Sequence, residues 1–427
     1  MQPKVERHPD GSLTISLTLP PGGNAGSLLN EEEQLMEALN TVGRKSMEHV
    51  LTRYDTDGGP LLIAGTKWTS KGAVSKIYET PWGEVMLARH LYQSSAGGAT
   101  LCPLEQTARI TAGSATPHLA RSLGHKYANA NALAVVRDLL ENHGRKLSPS
   151  YVAGVAAAVA EAAGALVVEQ NAHAPQSGPA EVQTAVLGLD GTCALFCKEG
   201  FKQCMVGTIA LYDSAGERLE TIYLGRAPQA GKAEFLSRLD GEWQRITALY
   251  PGARRVALSD GARDYEPWLA ERTTWQILDF YHATGYLAGA APALHRLKAE
   301  RSAWLDGACH SLKHDAGAAQ RLTEQFVTQA QAGARTCSSA TALEAARGYF
   351  THNLERMNYA LFGAMNFPIG SGVTEAACKA LVKERLCGSG MRWTRSGAQT
   401  VLTLRALLLS TSRWISLWKY LDHHGIP

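Results

Sequence analysis

The sequence predicts a mixed α/β (α+β) protein, with a sheet-bearing core that an all-helical insertion interrupts and that a helical and β-hairpin region precedes. Three observations carry this expectation. Ala185 to Leu224 holds three strand-like runs joined by short polar turns, and a helix, a strand, a short helix and a further apolar strand follow. Tyr286 to Phe362 is then almost wholly helical in its periodicity. Before all of this, two alternating runs flank Thr80-Pro81-Trp82-Gly83, the pattern of a β-hairpin.

A chain of 427 residues exceeds what one core usually organises. Five regions follow from the pattern: 1–104, a helix and β-hairpin; 105–180, helical; 181–284, the first part of the core; 285–365, the insertion; and 366–427, the final part of the core. With 45% hydrophobic and 19% charged residues the composition is that of a globular protein and excludes a disordered one. The formal charge of +3 is too small to require a polyanionic partner, but a sum hides local patches. From Lys379 onward, Lys383, Arg385, Arg392, Arg395, Arg405, Arg413 and Lys419 face only Glu384 and Asp422, so the last section is basic. The eight cysteines are scattered without a C-x-x-C pair, so neither a disulfide framework nor a structural zinc is expected. No charged and apolar leader opens the chain and no uninterrupted apolar run could span a bilayer, which predicts a cytoplasmic protein without membrane contact, on the nucleoid if it binds DNA.

In order, residues 1 to about 29 are Pro/Gly-rich, with a short alternating strand at Ser12 to Leu19. Asn30 before Glu31-Glu32-Glu33 marks a helix start, and its apolar stripe runs to about Tyr54. The hairpin follows over Ala73 to Tyr78 and Glu84 to Tyr92. Helical patterns occupy Pro117 to Asn129, Ala132 to Asn142 and Pro149 to Gln170; the last two flank a short basic turn and could form a helix-turn-helix. Pro149 to Ala163 is alanine-rich and has few side chains able to read bases, which favours a plain packing unit. Asn171 to Pro179 reads as a linker.

The strand runs are Ala185 to Phe196, Lys202 to Tyr212 and Arg218 to Leu224. A helix over Lys232 to Leu249, a strand over Arg254 to Ser259, a short helix over Tyr265 to Glu271 and a strand over Thr274 to Phe280 complete the section. The order β-β-β-α-β-α-β matches a ribonuclease H-like arrangement, a mixed sheet with helices packed on it. The insertion is expected to break near Gly307, Gly317 and Gly333. A Gly370-Ser371-Gly372 turn leads into the helix bearing Glu375, and one long apolar helix closes the chain from about Ala398 to Leu421.

Three carboxylates stand where this order puts chemistry. Asp190 ends the apolar run Ala185 to Leu189, where a charge is costly unless paired or metal-bound. Asp260 ends the apolar strand Val256 to Ser259, the neighbour of the Asp190 strand in such a sheet. Glu375 lies in the first turn of a helix, where the dipole favours its ionised form. Each also has an ordinary reading: Asp190 as a turn residue at a strand edge, Asp260 as a helix cap, Glu375 as a dipole complement. Taken together they are candidates to hold two Mg²⁺ ions, with Mn²⁺ as a substitute, roughly 3.5–4 Å apart for in-line phosphodiester chemistry. Asp264 is a second choice for Asp260, and His282 at a strand end reads most simply as a packed residue.

These residues lie within stretches that resemble bacterial insertion-sequence transposases with a DDE triad, more narrowly the ISKra4 family: Ser94-Ser95-Ala96-Gly97-Gly98 to Cys102-Pro103-Leu104-Glu105, Ala115-Thr116-Pro117, Leu189-Asp190-Gly191, Ser259-Asp260-Gly261, Leu278 to His282, and Ile369 to Trp393. The resemblance covers most of the chain from about residue 70, and the last stretch is its most specific part. It implies that Asp190, Asp260 and Glu375 are catalytic and bind the metal, and that Asp279 and His282, an Asp and a His separated by two residues before a helical insertion, order the site or contact transposon ends. The basic residues Lys379, Lys383, Arg385, Arg392 and Arg395, with Trp393, are the DNA-binding candidates. The implied partners are transposon-end and target DNA and further copies of the chain, in a dimer or larger assembly. Such transposases often carry a cysteine zinc element near the hairpin; here only Cys102 stands there. A ribonuclease H-like nuclease without strand transfer and a catalytically silent DNA-binding protein are the alternatives.

Overall fold

The computed structural model describes residues 3–19, 27–171, 179, 181–229, 231–332 and 337–425, which fall into two units, 1–169 with 403–427 and 170–402. Most of the expected linker and the break near Gly333 lie outside the described residues. This division differs from the expected regions. The first two regions form one unit, and the final region is split at residue 402, its last part grouping with the N-terminal residues.

In the first unit, β1 (Lys4–Arg7) and β2 (Leu13–Ser16) make a small antiparallel ribbon, and α1 spans Leu28–Thr52. β3 (Leu61–Ile63), β4 (Thr66–Thr80), β5 (Gly83–Ser94) and β6 (Thr100–Leu101) form an antiparallel sheet in that order. Its central hairpin turns over Pro81-Trp82, where the Thr80 hydroxyl donates to the Gly83 carbonyl at 2.7 Å. The alternation read in the sequence puts Tyr78, Val85 and Leu87 in a small core with Leu51 and Leu104.

α2 (Pro103–Thr107), α3 (Pro117–Asn129), α4 (Ala132–His143) and α5 (Pro149–Asn171) follow. Asn131 caps α4 through the Ala134 amide, and Gly144 closes it in the left-handed region, φ 63°. The basic turn between α4 and α5 is not a free surface: Arg145 is buried and ion-pairs Glu79 of β4 at 2.6 Å. Within residues 149–164 of α5 the exposed positions are Pro149, Ser150, Gly154, Ala157 and Glu161, so the plain packing reading fits better than a base-reading helix.

The second unit is built on a five-stranded sheet: β7 (Thr184–Phe196), β8 (Gly200–Tyr212), β9 (Arg218–Arg226), β10 (Arg254–Ser259) and β11 (Trp275–Leu278), in the order β11-β10-β7-β8-β9. β7, β8 and β9 pair antiparallel; β10 and β11 run parallel to β7. With α6 (Ala233–Leu249) and α7 (Glu266–Ala270) the chain order is β-β-β-α-β-α-β, as expected. Period-two alternation divides the apolar side chains between two cores. Leu187, Leu189 and Ile209 face Phe235, Leu239 and Trp243 of α6, and Gly207 lets that helix approach the sheet, since a Cβ there would lie 3.0 Å from Leu239. Val186, Ala210, Val256 and Leu258 face the helical insertion, with Leu287, Phe326 and Phe350.

The insertion comprises α8 (Phe280–Leu294), α9 (Lys298–His314), α10 (Ala318–Ala332), α11 (Cys337–Asn353) and α12 (Tyr359–Ala364). Gly307 does not break it: α9 runs through, since a helix tolerates one glycine at a cost of about 1 kcal/mol. The break comes instead at residues 295–297, where His295 is extended. Gly317, at φ 71°, marks the next one. α13 (Gly372–Ala377), a π turn at Cys378–Lys383 and α14 (Glu384–Leu386) lead to α15 (Arg395–Leu409) and α16 (Thr411–His424). The single closing helix expected from the sequence is therefore two, divided at Ser410, a buried serine off helical geometry at ψ 75° beside two further poor helix formers, Thr411 and Ser412. No described helix is long and apolar enough to cross a membrane.

Candidate active site

β7 and β10 pair in parallel with Leu258 opposite Gly188. Continuing that register by two residues brings Asp260, just past the end of β10, beside Asp190 within β7, on strands that neighbour at about 4.8 Å. Asp190 is half-buried; its Oδ1 accepts the Gly191 amide at 2.6 Å and its Oδ2 the Cys378 thiol at 3.4 Å. Asp260 Oδ1 accepts the Ala262 amide at 3.0 Å, an Asx turn that needs Gly261 at φ 91°. The Tyr349 hydroxyl of α11 donates to the Asp260 carbonyl at 2.9 Å, so the insertion itself holds this turn.

Glu375 reaches the same face of the sheet because α13 comes unusually close to β7. A Cβ on Gly188 would lie 2.3 Å from Thr374 Oγ1, and Thr374 instead shares a buried 2.8 Å hydrogen bond with Thr208 of β8. Glu375 is exposed, its Oε1 3.0 Å from the Ser371 hydroxyl oxygen, for whose single proton it competes with Asp279.

Ser371 also donates twice to Asp279 Oδ2, from its amide at 2.8 Å and from its hydroxyl. Asp279 Oδ1 caps α8 by accepting the Tyr281 and His282 amides at 2.6 and 3.0 Å. The strand expected to reach Phe280 therefore stops at Leu278, because this cap starts a helix. The Asp279 amide donates to the Ser259 carbonyl at 2.8 Å and the Phe280 amide to Ile369 at 2.9 Å, so the fully buried Asp279 ties β10, α8 and the turn before α13 together.

Among the described residues the group of three ligand types with atoms all within 4.8 Å of one another is Asp279, His282 and Glu375. Asp190, Asp260 and Glu375 form no group at that spacing. In the former group His282 Nδ1 is 3.9 Å from Asp279 and 4.0 Å from Glu375, beyond hydrogen-bonding distance. Asp279 already accepts four donors, two on each oxygen, which leaves it a poor metal ligand and an effective pin. Burial first and the Asp190 charge second push the Cys378 thiol well up, so it stays an S–H donor at neutral pH. Asp264, the alternative acid, is largely exposed and pairs Lys232 at 3.4 Å.

No protein-family model matches the chain, and no curated protein sequence matches it. Its chemistry therefore rests on its own residues. Lys379, Lys383 and Arg392 are exposed, and Arg395 is held by Glu199 at 2.6 Å. Arg385 departs from the expectation of a surface cation: it is 2% exposed with its guanidinium 5.0 Å from the Trp393 ring centre. Trp393 is anchored through its indole N–H to Leu386 O at 3.0 Å and its amide to Leu195 O at 3.1 Å.

Sequence reasoning missed Ser371, Thr374 and Cys378 as parts of the site. Their spacing carried a signal, since residues 371, 375 and 378 share one helical face. What it lacked was the identity of the partners, which belong to strands and to a cap up to 188 residues away.

Proposed function

We propose that the protein is a DDE-type DNA transposase on a ribonuclease H-like sheet, which binds transposon ends, cleaves DNA there and joins the 3′ ends to target DNA. The observation that carries the reading is the parallel register of β7 and β10, which runs on into Asp190 and Asp260, with the Glu375 helix seated over Gly188 on the same face. The strand order β11-β10-β7-β8-β9, with three antiparallel and two parallel members, supports the core assignment.

The donor set suits the metal this reading requires. All three acids offer carboxylate oxygens, the ligands that hard divalent cations take, and each retains lone pairs beyond the contacts described. Asp190, Asp260 and Glu375 would hold Mg²⁺ or Mn²⁺; bound there, a pair of ions lowers the pKa of the attacking water or 3′-hydroxyl and stabilises the leaving oxygen. The chain's own residues orient the acids. Cys378 fixes one oxygen of Asp190, Ser371 aims Glu375, and Tyr349 steadies the Asp260 turn. Asp279 positions Ser371 and thereby Glu375, and exposed Lys379, Lys383 and Arg392 supply phosphate contacts on the stretch that follows Glu375.

The test is cleavage of DNA carrying the sequences that flank the gene, searched first for inverted repeats, with Mg²⁺ and with EDTA. Asp190→Asn, Asp260→Asn and Glu375→Gln are expected to abolish cleavage and retain end binding; cleavage by Glu375→Gln at the wild-type rate overturns the reading. Joining of pre-cut ends to a plasmid separates a transposase from a nuclease without strand transfer. Binding without cleavage under any divalent metal marks a silent DNA-binding protein.

A further inference from the structure

The unit that lacks these acids holds a cavity of about 340 Å³ between the start of α3 and the end of α16. We propose that it binds one nucleotide of a nucleic acid strand, its phosphate on Arg121 and Lys419 and its base against Trp418 and Ile415.

The charges are the first argument. Arg109, Arg121 and Lys419 line the cavity with one acid, Asp422. Arg121 and Lys419 are exposed, and among the described residues neither side chain makes an ion pair or hydrogen bond. Elsewhere in the protein cations are commonly neutralised, as Arg145 is by Glu79 and Arg272 by Asp240. Two unneutralised cations on different helices that line one cavity repel each other and favour an anion between them.

Rigidity is the second. Arg109 sits in the left-handed region at φ 55°, uncommon for a side chain of its size. Its guanidinium donates to the His423 carbonyl at 2.5 Å and the Gln106 carbonyl at 3.2 Å, fixing the last turn of α16. Lys419 is thus presented from a helix whose end is held, as a preformed site requires.

The wall is the third. Trp418 lines the cavity with the 8% of its surface that stays exposed, a fixed aromatic edge. Ile415, 45% exposed, adds an apolar surface beside it. A flat apolar part with an attached anion is the chemistry of a nucleotide, and the volume, at the low end of small-molecule sites, suits one nucleotide rather than a folded ligand. The site deepens the DNA-binding reading above only in assigning the nucleotide to a strand.

The test uses the full chain in EDTA, so that binding is read without cleavage, with a 12-nucleotide single strand, 2′-deoxyadenosine 5′-monophosphate, inorganic phosphate and deoxyadenosine as probes. Arg121→Ala/Lys419→Ala is expected to weaken oligonucleotide binding at least tenfold and to unfold at the wild-type temperature, while Asp422→Asn strengthens it. Deoxyadenosine is expected not to bind, and phosphate to bind weakly and compete. Unchanged oligonucleotide affinity in the double variant, with or without cleavage activity, overturns the site. Mononucleotide binding as tight as that of the oligonucleotide keeps the chemistry and overturns the strand as its source. Loss of binding in the double variant of a protein that never cleaves DNA upholds the site and sinks the transposase reading alone.

Discussion

Thr374 Oγ1 occupies the space a side chain on Gly188 would need, 2.3 Å from the position of its Cβ. A backbone-to-helix approach this close is available only to glycine. Gly188→Ala is therefore expected to push α13 off the sheet, break the 2.8 Å Thr208–Thr374 hydrogen bond and carry Glu375 away from Asp190. Overpacking of this kind costs about 1–3 kcal/mol. Denaturant unfolding would measure that loss, and a DNA cleavage assay is expected to show a defect much larger than the loss of folded protein explains. Unchanged stability and cleavage would show that α13 tolerates displacement.

Asp279 makes a second point of failure. Its carboxylate is wholly buried and accepts four donors from three amides and one hydroxyl. Asp279→Ala strands these donors and removes the cap of α8, and each buried donor left without a partner costs about 1–3 kcal/mol. The variant is expected to be strongly destabilised, read as a lower denaturant midpoint. Ser371→Ala removes only the hydroxyl between Asp279 and Glu375, so it should fold nearly as well as wild type and slow cleavage by misaligning Glu375.

Much of the fold was legible because it was local. The runs at Ala185 to Phe196 and Arg254 to Ser259 and the helix starting at Pro149 each carry their own periodicity and stop signals, and the strands formed within a residue or two of them. Errors came where a distant partner decided. Asp279 reads as the tail of a strand until its capping of α8 and its bonds to Ser371 are known. Arg385 reads as a surface cation until Trp393, eight residues on, is seen under it. Ser410 divides a continuous apolar pattern that periodicity alone extends through it. The three acids were visible as odd charges at strand ends, whereas the bonds that orient them cross up to 188 residues and leave no trace in spacing.

Acid should loosen each unit through one half-buried glutamate. Burial raises the Glu105 pKa, but hydrogen bonds from Lys76 at 2.8 Å and Tyr78 at 2.7 Å outweigh it and hold the carboxyl below its ordinary value. Burial likewise opposes, and Arg356 and His352 likewise overcome it, at Glu266. A depressed carboxyl contributes stability that is present above its unfolded value, about 4.3, and is lost as pH falls through the folded one. The stability gap between wild type and Glu105→Gln is therefore expected to be widest near neutrality and to shrink below about pH 5. A gap independent of pH would assign the loss in that variant to packing instead.

Thiol chemistry reads out the Asp190 environment directly. Cys193, Cys197, Cys337 and Cys387 are exposed, whereas Cys378 and Cys204 are buried, the latter pushed up to about 12 by burial with minor contributions from Cys387 and Cys193. A thiolate-seeking reagent at pH 8 is expected to label the four exposed cysteines in the native protein and to reach Cys378 and Cys204 only on unfolding. Prompt labelling of Cys378 would mean that its S–H is not held on Asp190.

The stretch after Glu375 should bind DNA through charge, with Trp393 as a fixed platform. Lys379, Lys383 and Arg392 are exposed, while Arg385 is committed to the Trp393 ring. Replacing Lys379 or Lys383 by Ala is expected to weaken binding about equally across DNA sequences, and to lower the slope of log affinity against log salt by about one for each phosphate that is no longer neutralised. Arg385→Ala should act differently. It removes a buried cation from beneath an aromatic ring, so the protein loses stability, and the salt slope stays as in wild type. A reduced slope in Arg385→Ala with stability intact would place that guanidinium on the DNA after all. The two classes of variant thus separate a residue that neutralises phosphate from one that supports its neighbour, a distinction that the basic pattern of the sequence alone does not make.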